Sequence, residues 1–305
     1  MSADIGVVLV TFNRLEKLKV ALKCFSSQIE KPTYMIVVDN ASTDGTSRFL
    51  SEWQAEEEGF EKKVLTLPSN TGGSGGFYEG LSLAQKKKAN WIWVSDDDAF
   101  PEQDCLMVAK QFIASKNDSD SYSALCGAVY NRGEINVMHR RRSFHKGVKY
   151  YSIPVGVDEY SREFFCNTFS YVGSILNRTK MEIVGLPQKN YFIWNDDTEH
   201  SLRMSKVGKI VCLPQMKINH DEMADSTSFS WKSYYGMRNR LDMMRRNFPS
   251  YFFVYQWLKF AFFAFRRFIL NREEGFLYFS AVKDALLRNY GLHKKYRPGW
   301  KPRCN

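Results

Sequence analysis

Four short apolar runs in the first hundred residues, IGVVLVTF, YMIVVDN, KVLTLPSN and NWIWVS, are separated by longer amphipathic stretches. Runs of this length and β-branched content suit strands, IGVVLVTF a buried one. The stretch NRLEKLKVALKCFSSQ places Leu15, Leu18, Leu22 and Phe25 at helical spacing, so it reads as a helix. ASTDGTSRFLSEWQ starts a second helix with Ser, Thr and Asp as caps, and FYEGLSLAQKKKA a third. Strand and helix in this rhythm give an α/β fold, a mostly parallel sheet covered on both faces. Ligands on such sheets sit beyond the carboxyl ends of the strands. TFNR, DNAS, SNTGGSGG and DDDA all fall at those ends, so they are expected to converge on one crevice.

Composition bounds the rest of the chain. With 305 residues, 44% of them hydrophobic, it can bury the core of one sizeable domain plus an appendage. Residues 231–305 hold sixteen Lys and Arg against four Asp and Glu, so the net charge of +10 belongs to an aromatic, basic tail. That shift near residue 230 marks the expected domain boundary. The six cysteines (Cys24, Cys105, Cys126, Cys166, Cys212, Cys304) form no CxxC pair, so neither a disulfide framework nor a structural zinc site is expected, and a reducing cytoplasm fits. IGVVLV is too short for a signal segment or a membrane span.

The Gly-rich TGGSGG reads as a loop ahead of a helix, where backbone N–H groups can face an anion. It matches neither familiar phosphate motif: Tyr78 stands where GxGxxG needs its last glycine, and no GK[ST] follows. The first strand ends in TFNR without the glycine turn of a dinucleotide fold, which argues against a nicotinamide or flavin enzyme.

Two acidic knots carry the chemistry. Asp96, Asp97 and Asp98 follow WIWVS directly. A helix cap needs one such carboxylate, whereas three in succession suit a hard divalent cation that bridges protein and substrate phosphates. In an extended segment alternate side chains share a side, so Asp96 and Asp98 face a metal and Asp97 turns elsewhere, toward a ribose or a cap. The second knot, in YFIWNDDTEHSLRMSKVGK, starts a helix at Asn195 or Asp196 that stops at Gly208. Asp196, Asp197 and Glu199 exceed what a cap requires; a carboxylate there suits a general base, and Trp194 a surface for stacking a sugar. His220 ends a further apolar run, VCLPQMKINH, as a surface or core residue or as a ligand.

These motifs, in this order and at this spacing, resemble inverting GT-A glycosyltransferases of family 2, over roughly residues 5 to 222. NTGGSGGF, the triple Asp and YYGMRNR are most similar to bacterial galactofuranosyltransferases, with rhamnosyltransferases using dTDP-rhamnose as the alternative. The resemblance implies a GT-A catalytic domain over 1–230, with nucleotide-sugar binding over about 1–130 and the acceptor and base region over about 131–230. A basic, aromatic helical region follows over 231–305. It implies Thr11, Asn13, Asp39, Asn70 and Asp97 at the nucleotide, with Thr11 and Asp39 lining the base pocket. Asp96, Asp98 and His220 would hold Mn²⁺ or Mg²⁺, and Asp197 would be the general base. Trp194 and Asp196 are the expected acceptor-side contacts, and Arg238 of YYGMRNR is expected near the acceptor or a diphosphate, or else exposed on a surface helix. The donor is then a UDP-sugar, UDP-galactofuranose foremost. The acceptor is a glycan or a polyprenyl-diphosphate-linked glycan of bacterial surface polysaccharide, O-antigen or capsule.

If FVYQWLKFAFFAFRRF is helical, Gln256, Lys259, Arg266 and Arg267 fall on one side and Phe253, Trp257, Phe260 and Phe268 on the other. Its charges interrupt any bilayer span. The apolar side either packs on the catalytic domain or lies in a membrane interface, with the basic side at anionic headgroups of the inner leaflet. A nucleotidyltransferase should show a Gly-rich loop with Lys or Arg directly after the first strand, and TFNRLEKL has no glycine there. A nucleic-acid-binding protein would use the basic tail but leave both acidic knots to repel a polyanion, so no nucleic-acid partner is expected.

Overall fold

The computed structural model describes residues 3–116, 118–222 and 229–302; Cys304 lies outside them. The chain order is β1 (Ile5–Thr11), α1 (Leu15–Ser26), β2 (Tyr34–Asp39), α2 (Thr46–Ala55), β3 (Glu61–Thr66), α3 (Gly72–Ala84), β4 (Trp91–Asp96), β5 (Ala99–Pro101) and α4 (Cys105–Ser115). Next come β6 (Tyr122–Asn131), β7 (Glu134–Ile135), β8 (Arg140–Lys146), β9 (Lys149–Pro154), β10 (Phe164–Cys166), β11 (Thr168–Phe169) and β12 (Ser174–Asn177). The chain continues through α5 (Arg178–Val184), α6 (Asp196–Met204), β13 (Lys209–His220), α7 (Trp231–Asn247), α8 (Ser250–Leu270) and α9 (Arg272–Leu287).

The main sheet runs β10-β13-β6-β12-β4-β1-β2-β3, with β5 on β13 and β7 on β6; β11-β8-β9 form a small second sheet. β4, β1, β2 and β3 are mutually parallel, and β12 enters antiparallel between β4 and β6. The alternation of side chains along β1 explains both layers. Ile5, Val7 and Leu9 join Leu18, Leu22 and Phe25 of α1 in one core, while Val8 and Val10 join Phe77 and Leu81 of α3 in the other.

The glycine-rich stretch departs from expectation, because its glycines are the first turns of α3 rather than a loop before a helix. A Cβ on Gly76 would stand 2.5 Å from Val10 Cγ1, and one on Gly80 2.5 Å from Val8 Cγ1, so glycine lets α3 lie directly on β1. Gly72 has φ +73°, and a Cβ there would meet the Phe192 carbonyl oxygen at 1.9 Å. The start of α3 is thereby pressed against the loop before α6.

The basic tail is helical, as α7, α8 and α9, and none of the described helices is long and apolar enough to cross a membrane. Both faces of α8 are largely apolar. Phe252 and Ala264 are fully buried, and Phe253, Trp257 and Phe260 pack into the cores shared with α7 and α9. Gln256, expected on the charged side, is instead buried and donates to the Val148 carbonyl at 2.6 Å. The opposite face leaves Tyr251, Val254, Tyr255, Leu258, Phe262, Phe265 and Ile269 exposed at helical spacing.

Candidate active site

Parallel register brings the polar strand ends together. Thr11 pairs with Asp39 and Asp39 with Thr66, while Val10 pairs with Asp96, so the ends of β1 to β4 form one line. Asp96 closes β4, and Asp97 and Asp98 turn the chain into β5. The triple aspartate is therefore a strand end and a turn, and it caps no helix: α4 begins at Cys105, after Asp104.

The three carboxylates have different partners. Asp97 Oδ2 accepts from the Thr11 hydroxyl at 2.8 Å and from Phe12 N–H at 3.4 Å, and Oδ1 accepts from Arg14 at 3.1 Å. At 3% exposed, it is bonded to the end of β1 rather than presented to a ribose. Asp98 Oδ2 accepts from the same Arg14 nitrogen at 2.6 Å, and Oδ1 lies 3.2 Å from His220 Nε2. Antiparallel pairing of β13 with β5 sets His220 opposite Ala99 and so delivers the imidazole. Burial alone would raise the Asp98 carboxyl; the His220 hydrogen bond, Arg14 and Lys17 outweigh it and hold the group below its ordinary value. At Asp96 the charges of His220 and Arg14 offset burial only in part. Burial and then the Asp98 charge push it up to about 8.

The nucleotide-side residues take up supporting bonds. Asp39 is fully buried, accepts from Ser42 N–H at 2.9 Å and from the Ser47 hydroxyl, and so ties down the loop after β2. Asn13 is exposed with φ +52° and accepts from Thr43 N–H at 2.7 Å. Asn70 Oδ1 accepts from Gly72 N–H at 2.8 Å and from Asn40 at 3.2 Å. Thr11 and Asp39 are thus buried at the strand ends, and Asn13 and Asn70 brace the loops beside them.

A pocket of about 540 Å³ joins the two acidic knots, with Asp96, Asp196, Asp197, Trp194, Arg141 and Arg240 among its lining residues. The segment before α6 holds Phe192, Trp194 and Asn195 at φ +70°, +67° and +66°. Non-glycine residues in this region cost stability and persist only where surroundings hold them. Here α7 does so. The Asn239 amide donates to the carbonyls of Tyr191, Ile193 and Trp194 at 3.0, 2.8 and 3.0 Å. Arg238, 1% exposed, spends its guanidinium on the carbonyls of Gly291, Asn190 and Tyr191. The expectation that Arg238 meets an acceptor or diphosphate therefore gives way: it fixes the loop from behind, and Arg240, two residues on, faces the pocket instead. The pocket also draws on both sides of the compositional boundary at 230.

Trp194 stands 42% exposed at the pocket wall. Burial and then the neighbouring Asp197 raise Asp196 to about 7. Burial also raises Asp197, against Arg141 and the hydrogen bonds from Thr198. No sequence pattern sets Arg14, Arg141, Arg240 or Asn239 apart. Arg141 sits in HRRRSFHK, where no pattern separates the arginine that lines the pocket from the fully buried Arg140.

The sequence model described as "Glycosyl transferase family 2" matches residues 6–174. Galactofuranosyltransferase GlfT1 of Mycobacterium tuberculosis is 23% identical over 215 residues, 68% of this chain and 66% of that protein, so the chain spans just under two thirds of this relative. Among solved structures, S. aureus TarS in complex with UDP-GlcNAc aligns over 93% of this chain and 80% of its own, with a TM-score of 0.58 at 16% identity. GalNAc-T7 with UDP, GalNAc and Mn²⁺ aligns over 79% and 47%, with a TM-score of 0.61 at 14% identity. The chain has the GT-A fold of these structures.

Proposed function

The chain belongs to glycosyltransferase family 2, and from that premise we propose that it is an inverting, metal-dependent glycosyltransferase moving galactofuranose from UDP-galactofuranose. The acceptor in this reading is a glycan or polyprenyl-diphosphate-linked glycan in the making of a bacterial surface polysaccharide. One observation carries the proposal: Asp96 and Asp197, a hundred residues apart, line one pocket beside the exposed face of Trp194.

Asp96, Asp98 and His220 would hold Mn²⁺ or Mg²⁺. Two of them are spaced for such an ion: Asp98 Oδ1 and His220 Nε2 are 3.2 Å apart, near the spacing of about 3 Å between adjacent ligands at bonds of about 2.1 Å. Asp96 is a carboxyl among like charges that a cation would let ionise. Such an ion supplies positive charge against the diphosphate as it leaves. Trp194 offers its ring to the sugar or acceptor. Asp197 accepts the proton of the acceptor hydroxyl as the oxygen bonds to the anomeric carbon. The bond from that carbon to the diphosphate oxygen breaks on the opposite face, and the anomeric configuration inverts.

The exposed stripe of α8 extends the proposal to location. Seven large apolar side chains on one helical face, with Lys259 and Arg266 exposed along its edge, match an anionic lipid surface in both polarity and charge. The enzyme in this reading works at the cytoplasmic face of an inner membrane, where a lipid-linked acceptor is presented. Sedimentation with phosphatidylglycerol vesicles tests it. Phe262→Glu with Phe265→Glu is expected to lower vesicle binding more than tenfold, since each buried side chain is worth about 1.5–3 kcal/mol; unchanged binding contradicts the location.

The donor test is a screen of UDP- and dTDP-sugars, scoring nucleotide release with a cell-derived lipid acceptor. UDP-galactofuranose is expected to be the preferred donor, with release abolished by EDTA. Preference for dTDP-rhamnose, or release indifferent to EDTA and Mn²⁺, overturns the donor or metal assignment.

A further inference from the structure

His220 has a second side. Its Nε2 faces Asp98, and its Nδ1 is buried without a hydrogen-bond partner. His139 approaches that side from the short turn before β8. Its Nδ1 meets the Ser170 hydroxyl at 2.6 Å, and its Nε2 is likewise buried and unpartnered in a residue only 9% exposed. The two rings stand edge to face with centroids 5.3 Å apart. Glu222 brings Oε2 to 3.7 Å from His220 Nδ1. One ligand atom from each of His139, His220 and Glu222 lies within 4.8 Å of the other two.

Buried imidazole nitrogens are normally hydrogen-bonded or ligated, and two that face one carboxylate with no other partner call for an ion between them. Two nitrogens and one oxygen are the donor set of a borderline metal such as Zn²⁺ rather than of Mg²⁺. Bonds of about 2.0–2.1 Å place tetrahedral ligands roughly 3.3 Å apart, so the set closes with shifts of about 1 Å. The Glu222 side chain, 44% exposed, is free to make most of that movement.

We propose that His139, Glu222 and Nδ1 of His220 form a transition-metal site, and that Zn²⁺ bound there inhibits transfer. The inhibition follows from the ring itself. A neutral imidazole has one lone-pair nitrogen and one N–H. With Zn²⁺ on Nδ1, the proton sits on Nε2 and is donated to Asp98, so His220 has no lone pair for the cation on the donor side. The inhibitory half rests on the assignment of His220 to that cation made above; the binding half does not.

The two halves are separable by experiment. Calorimetric titration of Zn²⁺ into the chelator-treated full chain is expected to show binding that His139→Ala and Glu222→Gln each weaken at least tenfold. Glu222→Gln guards against misfolding, because it alters an exposed side chain, and circular dichroism checks both variants. In transfer assays with Mn²⁺, added Zn²⁺ is expected to inhibit the wild type, and both variants should need at least tenfold more Zn²⁺ for the same loss. Absent Zn²⁺ binding, or binding indifferent to both substitutions, overturns the site. Zn²⁺ that binds with the expected dependence but leaves transfer unchanged overturns the inhibition, and with it the place of His220 beside the donor.

Discussion

The two acidic knots look alike in sequence and differ in what surrounds them. At the strand-end knot, Arg14, Lys17 and His220 converge on Asp98 and hold its carboxyl below the ordinary range, while Asp96 beside it is pushed up to about 8. At the helix-start knot, burial raises both Asp196 and Asp197, with Arg141 the main opposing charge on Asp197. The first is a place where positive charge gathers; the second holds two carboxyls that burial raises together, Asp196 to about 7. In the proposed reaction one knot meets the diphosphate and the other takes a proton, and environment rather than residue type divides the labour.

The comparison breaks most sharply at Asp197. Asp197→Asn removes the proton acceptor and is expected to lower kcat by about 10²–10⁴-fold while UDP affinity holds, read by steady-state kinetics beside calorimetry. Near wild-type turnover would take Asp197 out of the mechanism. Asp98→Asn acts on the other knot and is expected to weaken Mn²⁺ binding about 10–100-fold, measured as the Mn²⁺ needed for half-maximal rate. If the variant keeps the wild-type metal requirement, the assignment of Asp98 fails.

A smaller effect is expected behind the second knot. Asn239→Ala strips a donor from three loop carbonyls and should cost about 1–3 kcal/mol of stability by denaturant titration, with kcat falling as Trp194 and Asp197 loosen. Last comes pH. A base must be ionised, and the raised Asp196 and Asp197 set the acid limb of the rate profile above the usual carboxylate range. Arg141→Gln removes a charge that lowers Asp197, so the limb should move to higher pH; a shift the other way would contradict this electrostatic picture. The same sign governs stability. A carboxyl raised in the folded state binds its proton more tightly there. Asp196 thus favours folding below the unfolded carboxylate value of about 3.9, and that contribution fades as pH rises through about 7.

Much of the fold was legible because the first hundred residues keep clean periods. β1, β2 and β4 are continuous apolar runs, and the polar residues at their ends meet because parallel register aligns them. β12 is four residues long and enters antiparallel between β4 and β6, with nothing in SILN to announce it. The small sheet over β11, β8 and β9 lies in a region without a motif. Asp96, Asp197 and Trp194 were legible as site candidates because carboxylates and an exposed aromatic at element ends are hard to explain otherwise. Arg238 misled because a lone arginine reads the same whether its guanidinium faces a ligand or a set of carbonyls. The choice between Arg238 and Arg240 depends on how α7 is turned, which only the packing of Tyr234, Tyr235 and Leu241 decides.

In the proposed enzyme the two knots serve one nucleotide-sugar site with separate duties. Calorimetric titration of UDP into wild type, Asp98→Asn and Asp197→Asn, each with and without Mn²⁺, tests this directly. Mn²⁺ is expected to tighten UDP binding at least tenfold in wild type and Asp197→Asn, and to lose that effect in Asp98→Asn. UDP binding that is equal with and without Mn²⁺ in the wild type, or that weakens as much in Asp197→Asn as in Asp98→Asn, would contradict it.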